Sequence, residues 1–215
     1  PYTLPLLHRT ERMDFSAPVS IFVGENGTGK STLLEGLARA CGVHIWKFSS
    51  QTRRLQVNEH EQSLHQYIKV KTADGKVPGS FFGSEIFKDF KLLVDEWATS
   101  DPGQLKYFGG ESLMTKSHGQ SLMAYFRYRY TQKGAYFLDE PETGLSPTSQ
   151  LELLDIINTN SAAGHAQFFI ATHSPILLAC ANAELFSFDH TPPKIVRYEE
   201  TGHFKIYKRF LLERE

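Results

Sequence analysis

Residues 19–41 read VSIFVGENGTGKSTLLEGLARAC, an apolar run, then a glycine-rich loop, then a helical pattern. Val19, Ile21, Phe22 and Val23 give the signal of a short buried strand. Leu33, Leu34, Leu37, Ala38, Ala40 and Cys41 recur close to i, i+3, i+4, i+7, and Gly42 is a natural helix stop. Between them, Gly24, Gly29, Lys30 and Ser31 fix a Gly-x-x-x-x-Gly-Lys-Ser spacing, which by chance arises in a chain this long on the order of 1% of the time. Each residue type has a physical use for holding a nucleoside triphosphate. Glycines let backbone N–H groups converge on phosphate oxygens, a helix N-terminus adds partial positive charge, lysine supplies a point charge, and a serine hydroxyl ligates Mg2+. Gly24, Asn26, Gly27, Thr28, Gly29, Lys30, Ser31 and Thr32 are the candidate phosphate-binding set, with Lys30 also a catalytic candidate and Ser31 a metal ligand.

The 215 residues are 40% hydrophobic and 22% charged, ordinary globular usage and enough chain for one domain with a buried core. A net charge of -1, from 23 basic and 24 acidic residues, excludes the broad basic field of non-specific nucleic-acid binders and leaves only a local basic face open. No apolar run approaches the roughly 18 residues of a membrane-spanning helix, and PYTLPLLHRTER lacks the apolar core of a signal peptide. A soluble, cytoplasmic protein is expected. Cys41 and Cys180 stand at the ends of predicted helices, not in a Cys-x-x-Cys pair, as buried thiols in a reducing compartment do. The chain starts at Pro1 without an initiator methionine, which suggests that a strand upstream lies outside it.

From Trp46 to about Gln104 the pattern loosens into a turn signal at residues 73–76 and an aromatic run, Phe81, Phe82, Phe87 and Phe90. Short strands and then a helix near residues 84–97 are expected. A helix over 121–130 and a strand at Tyr136, Phe137 and Leu138 follow. Ser146-Pro147 starts a helix through Asn158, with serine as N-cap and proline at the first helical position, and Ser174-Pro175 repeats that chemistry for 176–183. Further strands are expected at 168–171, 185–188, 194–198 and 204–207. The alternation predicts an α/β fold with a mostly parallel sheet covered on both faces. There are no sustained heptads, which excludes a long coiled-coil arm.

The strand at 136–138 runs into Asp139-Glu140-Pro141-Glu142, carboxylates at the end of a parallel strand where such sheets bind ligands. Asp139 suits a second Mg2+ anchor, and Glu140 then stands where it can orient or deprotonate a water attacking the γ-phosphate. His173, after the next buried strand, is a candidate for contacting that phosphate or holding the water. His60-Glu61-Gln62-Ser63-Leu64-His65 mimics a zinc-protease motif, but histidines five apart are separated by about 140° on a helix, so no zinc site is expected. Residues 125–130 mix aromatic and basic side chains and are read as a helix with one face in the core and its arginines outward.

Lys116-Ser117-His118-Gly119-Gln120 resembles the LSGGQ signature of ATP-binding-cassette (ABC) ATPases, with His118 replacing the first glycine. Phe108-Gly109-Gly110-Glu111 is a rival match, but Ser117 is preferred because a single helix leads from Gln120 to Asp139. GENGTGKST, SHGQS, FLDEPETGLSP and IATHSP together resemble the compact soluble ATPases of the ABC superfamily, known as AAA-domain proteins and related in motif style to chromosome-maintenance and recombination-repair ATPases. The resemblance implies a P-loop NTPase fold of ABC-ATPase type, with a RecA-like core sheet, a small antiparallel β region and a short helical subdomain. One domain would span 1–215, its core at about 1–80 and 121–215 and its helical subdomain at about 84–120. It implies ATP and Mg2+ as cofactors and a head-to-tail homodimer in which Ser117, Gly119 and Gln120 approach nucleotide held by the partner. Gly144-Leu145-Ser146 would be the D-loop, Glu85 would stand where the family has a glutamine, and Tyr2 would stack on adenine. The function implied is Mg2+-dependent ATP hydrolysis driving a conformational switch through an unidentified effector protein. An ABC transporter subunit with a separate membrane chain, and a DNA-maintenance or phage-defence module, stay open as alternatives.

Overall fold

A computed structural model describes residues 5–45, 63–72, 75 and 78–213. Its elements run α1 (Pro5–Arg9), β1 (Val19–Val23), α2 (Lys30–Ala40), β2 (Gly79–Gly83), α3 (Phe87–Ser100), α4 (His118–Arg129), β3 (Gly134–Asp139), α5 (Pro147–Ala162), β4 (Ala166–Ala171), α6 (Pro175–Leu178), β5 (Ala183–Ser187), β6 (Lys194–Val196) and α7 (Gly202–Leu212). The six strands form one sheet in the order β2-β3-β4-β1-β5-β6. The first five are parallel, and β6 pairs antiparallel with β5 at the edge. This pair is the antiparallel region among the described residues.

Side chains alternate across each strand. Phe81, Phe137, Phe169, Phe22 and Phe186 point to one face and pack with Leu33, Leu34, Leu37 and Ala38 of α2. Phe137 and Phe169 stack there with centroids 4.9 Å apart. Val19, Ile21, Val23, Leu138, Phe168 and Ile170 point to the other face, against α4, α5 and α6. Burying each of these side chains stabilises the fold by about 1.5–3 kcal/mol. Phe87 and Val94 of α3, with Phe108 and Leu113 of the short turns that follow, join the same cluster, so residues 84–120 lean on the core through an aromatic contact set centred on Phe82 and Tyr125.

Two expected elements differ. Residues 204–207 are helical, not extended: Thr201 caps α7 by accepting a hydrogen bond from the Phe204 N–H, and this local cap overrides the alternation of Phe204 and Ile206. The helix after Ser174-Pro175 ends at Leu178 instead of reaching residue 183, which lies in β5. Asn158 of α5 stops it, accepting from the Ala181 N–H and the Cys180 thiol, each at 3.1 Å. Asn182 then turns the chain with φ +56. Tyr2, residues 46–62 with Trp46 and His60, and most of the turn signal at 73–76 lie outside the described residues. No helix among those described is long and apolar enough to cross a membrane.

Candidate active site

Gly83, Asp139, Ala171, Phe22 and Phe186 lie in one row across β2, β3, β4, β1 and β5. The residues just beyond that row therefore share the carboxyl edge of the sheet: Glu85, Glu140, His173, Gly24 and a fifth, Asp189. Open parallel sheets bind ligands at this edge.

The loop between β1 and α2 is closed on itself by Lys30. Its buried Nζ donates to the carbonyls of Gly24 and Glu25, each at 2.8 Å, while Thr28 Oγ1 donates to the Glu25 carbonyl at 2.9 Å. Gly29 is the helix N-cap at φ 96 and offers no side-chain acceptor, so the first-turn N–H groups of α2 carry no side-chain cap. This is a ready anion cradle. Gly24 is held at φ 150 with Asp189 Oδ1 3.0 Å from where a Cβ would sit, and that carboxylate accepts from the Glu25 N–H at 3.0 Å. Burial lowers the Lys30 pKa, opposed by Glu140, Asp189, Asp139 and Glu25. Asn26 and Thr32 lie in the same loop and first turn.

Because β4 separates β1 from β3, the loop can face Asp139 across one strand width. Ser31 Oγ donates to Asp139 Oδ1 at 2.8 Å. Burial raises the Asp139 pKa to about 6 against that hydrogen bond, with Glu140, Glu35 and Glu85 adding to the rise. A carboxylate held above its ordinary range beside a hydroxyl is a pair of hard oxygen donors matched to Mg2+, so both expected metal ligands fit the ion. Glu140 follows in the left-handed region at φ 47, while its N–H still donates to the Ala171 carbonyl at 2.9 Å. A non-glycine residue there carries about 1–3 kcal/mol of strain, a feature that clusters at functional sites.

His173 is held at two points. Its N–H donates to Glu142 Oε1 at 2.8 Å, and its ring Nδ1 lies 3.1 Å from Nε2 of His203. Its own Nε2 is buried and has no hydrogen-bond partner among the described residues. Burial, then Lys30, lowers the His173 pKa and favours the neutral ring.

Ser117 caps α4 in a capping box: its N–H donates to Gln120 Oε1 at 3.0 Å and its Oγ accepts from the Gln120 N–H at 3.3 Å. Both side chains are exposed, and the contacts of this helix start run to Phe87 and to Gly144, not into the loop. A Cβ on Gly144, at φ 83, would lie 2.6 Å from His118 Cδ2, so the histidine that replaces a signature glycine sits close against the expected D-loop. The rival Gly109 and Gly110 both have positive φ, and the chain there leaves a 3-10 turn instead of starting an α-helix. Glu85 stands in the turn after β2, close enough to act on Asp139. Arg127 pairs with Glu152, and Arg129 reaches the Gly79 carbonyl. Among the described residues no histidine, cysteine or carboxylate group of three or more forms a metal cluster. The thiols of Cys41 and Cys180 are both free, and burial pushes Cys180 up to about 12.

Asp189, Glu142 and His203 were not singled out in the sequence. Asp189 carried one available signal, an acidic residue just past a buried strand. Glu142 and His203 have roles only through the strand order.

A family model described as AAA domain matches residues 6–114. The chain is a member of this AAA-domain family and of the ABC superfamily of P-loop ATPases. A second AAA-domain model, whose description also names the AbiEii toxin and type IV TA systems, matches residues 120–179 of this ABC-superfamily chain. Among curated relatives, the petrobactin import ATP-binding protein FpuC of Bacillus anthracis is 25% identical over 204 residues, covering 84% of this chain and 74% of the relative. The cobalt import ATP-binding protein CbiO of Salmonella typhimurium is 31% identical over 176 residues, covering 75% of this chain and 64% of the relative. The solved structure of cbiO1 from Clostridium perfringens, part of the ABC transporter complex cbiONQ, is 18% identical with a TM-score of 0.47, covering 93% of this chain and 86% of that one.

Proposed function

We propose that this chain hydrolyses ATP with Mg2+ and uses the cycle as a conformational switch between two copies joined head to tail. The observation that carries the reading is the Ser31–Asp139 hydrogen bond across β4, with Lys30 closing the loop on one side and Glu140 on the other. Lys30 and the N–H groups of the loop and first turn of α2 bind the phosphates, and Ser31 and Asp139 hold the metal. Mg2+, when bound there, neutralises charge on the β and γ phosphates. Glu140, whose charge acts on Lys30 of the loop, takes the proton of the attacking water. His173 Nε2 donates to the γ-phosphate. Ser117 and Gln120, exposed at the start of α4, and the half-buried Gly119 between them complete a second copy's site with the N-terminal dipole of that helix. Residues 84–120 form the small helical part that moves relative to the sheet.

Glu140→Gln keeps the shape and removes the base, so turnover should fall by roughly 100-fold or more while ATP binding persists and a dimer accumulates with ATP. Steady-state phosphate release and size-exclusion chromatography measure this. Unchanged turnover would end the role assigned to Glu140.

A second reading is supported by the relatives named as import ATP-binding proteins: a nucleotide-binding subunit working on a separate membrane chain. Purification of the Glu140→Gln protein from solubilised membranes with a polytopic partner would favour it. Recovery as a homodimer alone would favour the switch.

A further inference from the structure

His203 is the second residue of α7, and the two imidazoles meet with Nδ1 of His173 3.1 Å from Nε2 of His203, ring centroids 5.2 Å apart. A hydrogen bond between two neutral imidazoles has one proton on the shared line, so one ring donates and the other offers a lone pair. The direction of that bond decides the opposite side of His173. If His173 donates from Nδ1, its Nε2 is a bare lone pair, which a phosphate oxygen repels. If His203 donates, the His173 proton sits on Nε2. That nitrogen is buried without a partner among the described residues, a condition that is costly until a partner arrives.

We propose that His203 is a positioning residue of the nucleotide site: by donating its Nε2–H to His173 Nδ1, it holds His173 in the tautomer that donates from Nε2 to a phosphoryl oxygen. This deepens the ATPase reading and rests on it for the identity of the acceptor. Histidine in a phosphoryl or metal site is set in the same way by what its second nitrogen meets.

Burial, the largest influence on both rings, favours their neutral forms. Lys30, Glu140, Glu25 and Asp189 face His173, and Glu142 holds its backbone. His203 feels His173, Glu25, Lys30 and Asp189, and it stands at the positive end of the α7 dipole, which opposes its protonation. Its position is built in by a chain of hydrogen bonds. Thr201 Oγ1 caps α7 and donates to the Tyr198 carbonyl at 2.7 Å, and the Tyr198 hydroxyl donates to the Pro175 carbonyl at 3.1 Å, two residues past His173. The C-terminal helix and the γ-phosphate position are thereby linked through one proton.

Nitrogen-15 NMR of the full chain labelled at histidine reads which ring nitrogen of His173 carries the proton, with His173→Gln and His203→Phe used for assignment. In the unsubstituted protein the proton should be on Nε2. His203→Phe keeps a ring and removes the donor: the His173 tautomers should mix, and kcat should fall about tenfold while the Kd for Mg2+-ATP changes less than about twofold. His203→Gln places an amide N–H on the same line and should restore both the tautomer and kcat. A proton on Nδ1 in the unsubstituted protein, an unaltered tautomer or kcat in His203→Phe, or failure of His203→Gln to rescue would each overturn the proposal. The NMR result needs no turnover. A protein with the expected tautomer but no hydrolysis would therefore refute the ATPase reading and leave the His203–His173 bond standing.

Discussion

Asp139 ties the metal site to the stability of the metal-free protein. Its pKa is raised from 3.8 to about 6 by burial, so between those values the folded chain holds a proton that the unfolded chain has lost. Stability must then fall as pH rises through that window, by about 3 kcal/mol in total for this one group, and stay lower above it. Asp139→Asn removes the titration while preserving the shape beside Ser31. In EDTA, denaturant unfolding of the two proteins from pH 4 to 8 should show them alike at the acid end and the variant more stable at the basic end. Parallel curves would show that the Asp139 carboxylate is not desolvated. Added Mg2+-ATP should reverse the order above pH 6, because the aspartate gains a cation and the asparagine does not. At the same scale, Glu140 was legible as an acid after a strand, but its left-handed backbone was not, since φ at 140 depends on how the chain leaves β3 toward Gly144.

At the scale of elements, what the sequence revealed was what local chemistry decides. The strand, loop and helix over 19–41, and the starts of α5 and α6 at Ser146-Pro147 and Ser174-Pro175, are written in residues that touch their own neighbours. Gly42 ends α2 as expected, with the Val43 N–H on the Ala38 carbonyl and its own N–H on that of Arg39. One of the two errors has a non-local cause and the other a local one. The length of α6 is set by Asn158 on another helix, and α7 was misread because two alternating aromatic and aliphatic positions outweighed a single threonine cap. The site divides in the same way. Lys30, Ser31, Asp139 and His173 come from contiguous motifs. Asp189, Glu142 and His203 matter because β4 lies between β1 and β3 and β5 lies beyond β1, an order that no stretch of sequence states.

At the scale of the whole molecule, the loop and the signature lie in different places, Lys30 buried within the sheet edge and Ser117 exposed at the start of α4. A composite site shared by two copies makes a prediction about mixtures. Lys30→Ala should bind no nucleotide, and Ser117→Arg should bind it yet hydrolyse poorly, because the new side chain blocks the facing copy. Mixed together, the two should regain turnover that neither has alone, since one kind of pairing places an intact loop opposite an intact signature. No recovery over a range of protein concentrations would argue for a site contained in one chain. A different consequence follows from the row of strand ends. The loop, the metal pair and His173 are anchored on β1, β3 and β4, each flanked by a strand on both sides. Amides in such strands exchange with deuterium only when the entire fold opens. ATP binding should therefore vanish at the same urea concentration as the sheet itself, while the surface helix start at Ser117 exchanges earlier: the protein would lose its capacity to respond to a second copy before it loses its nucleotide.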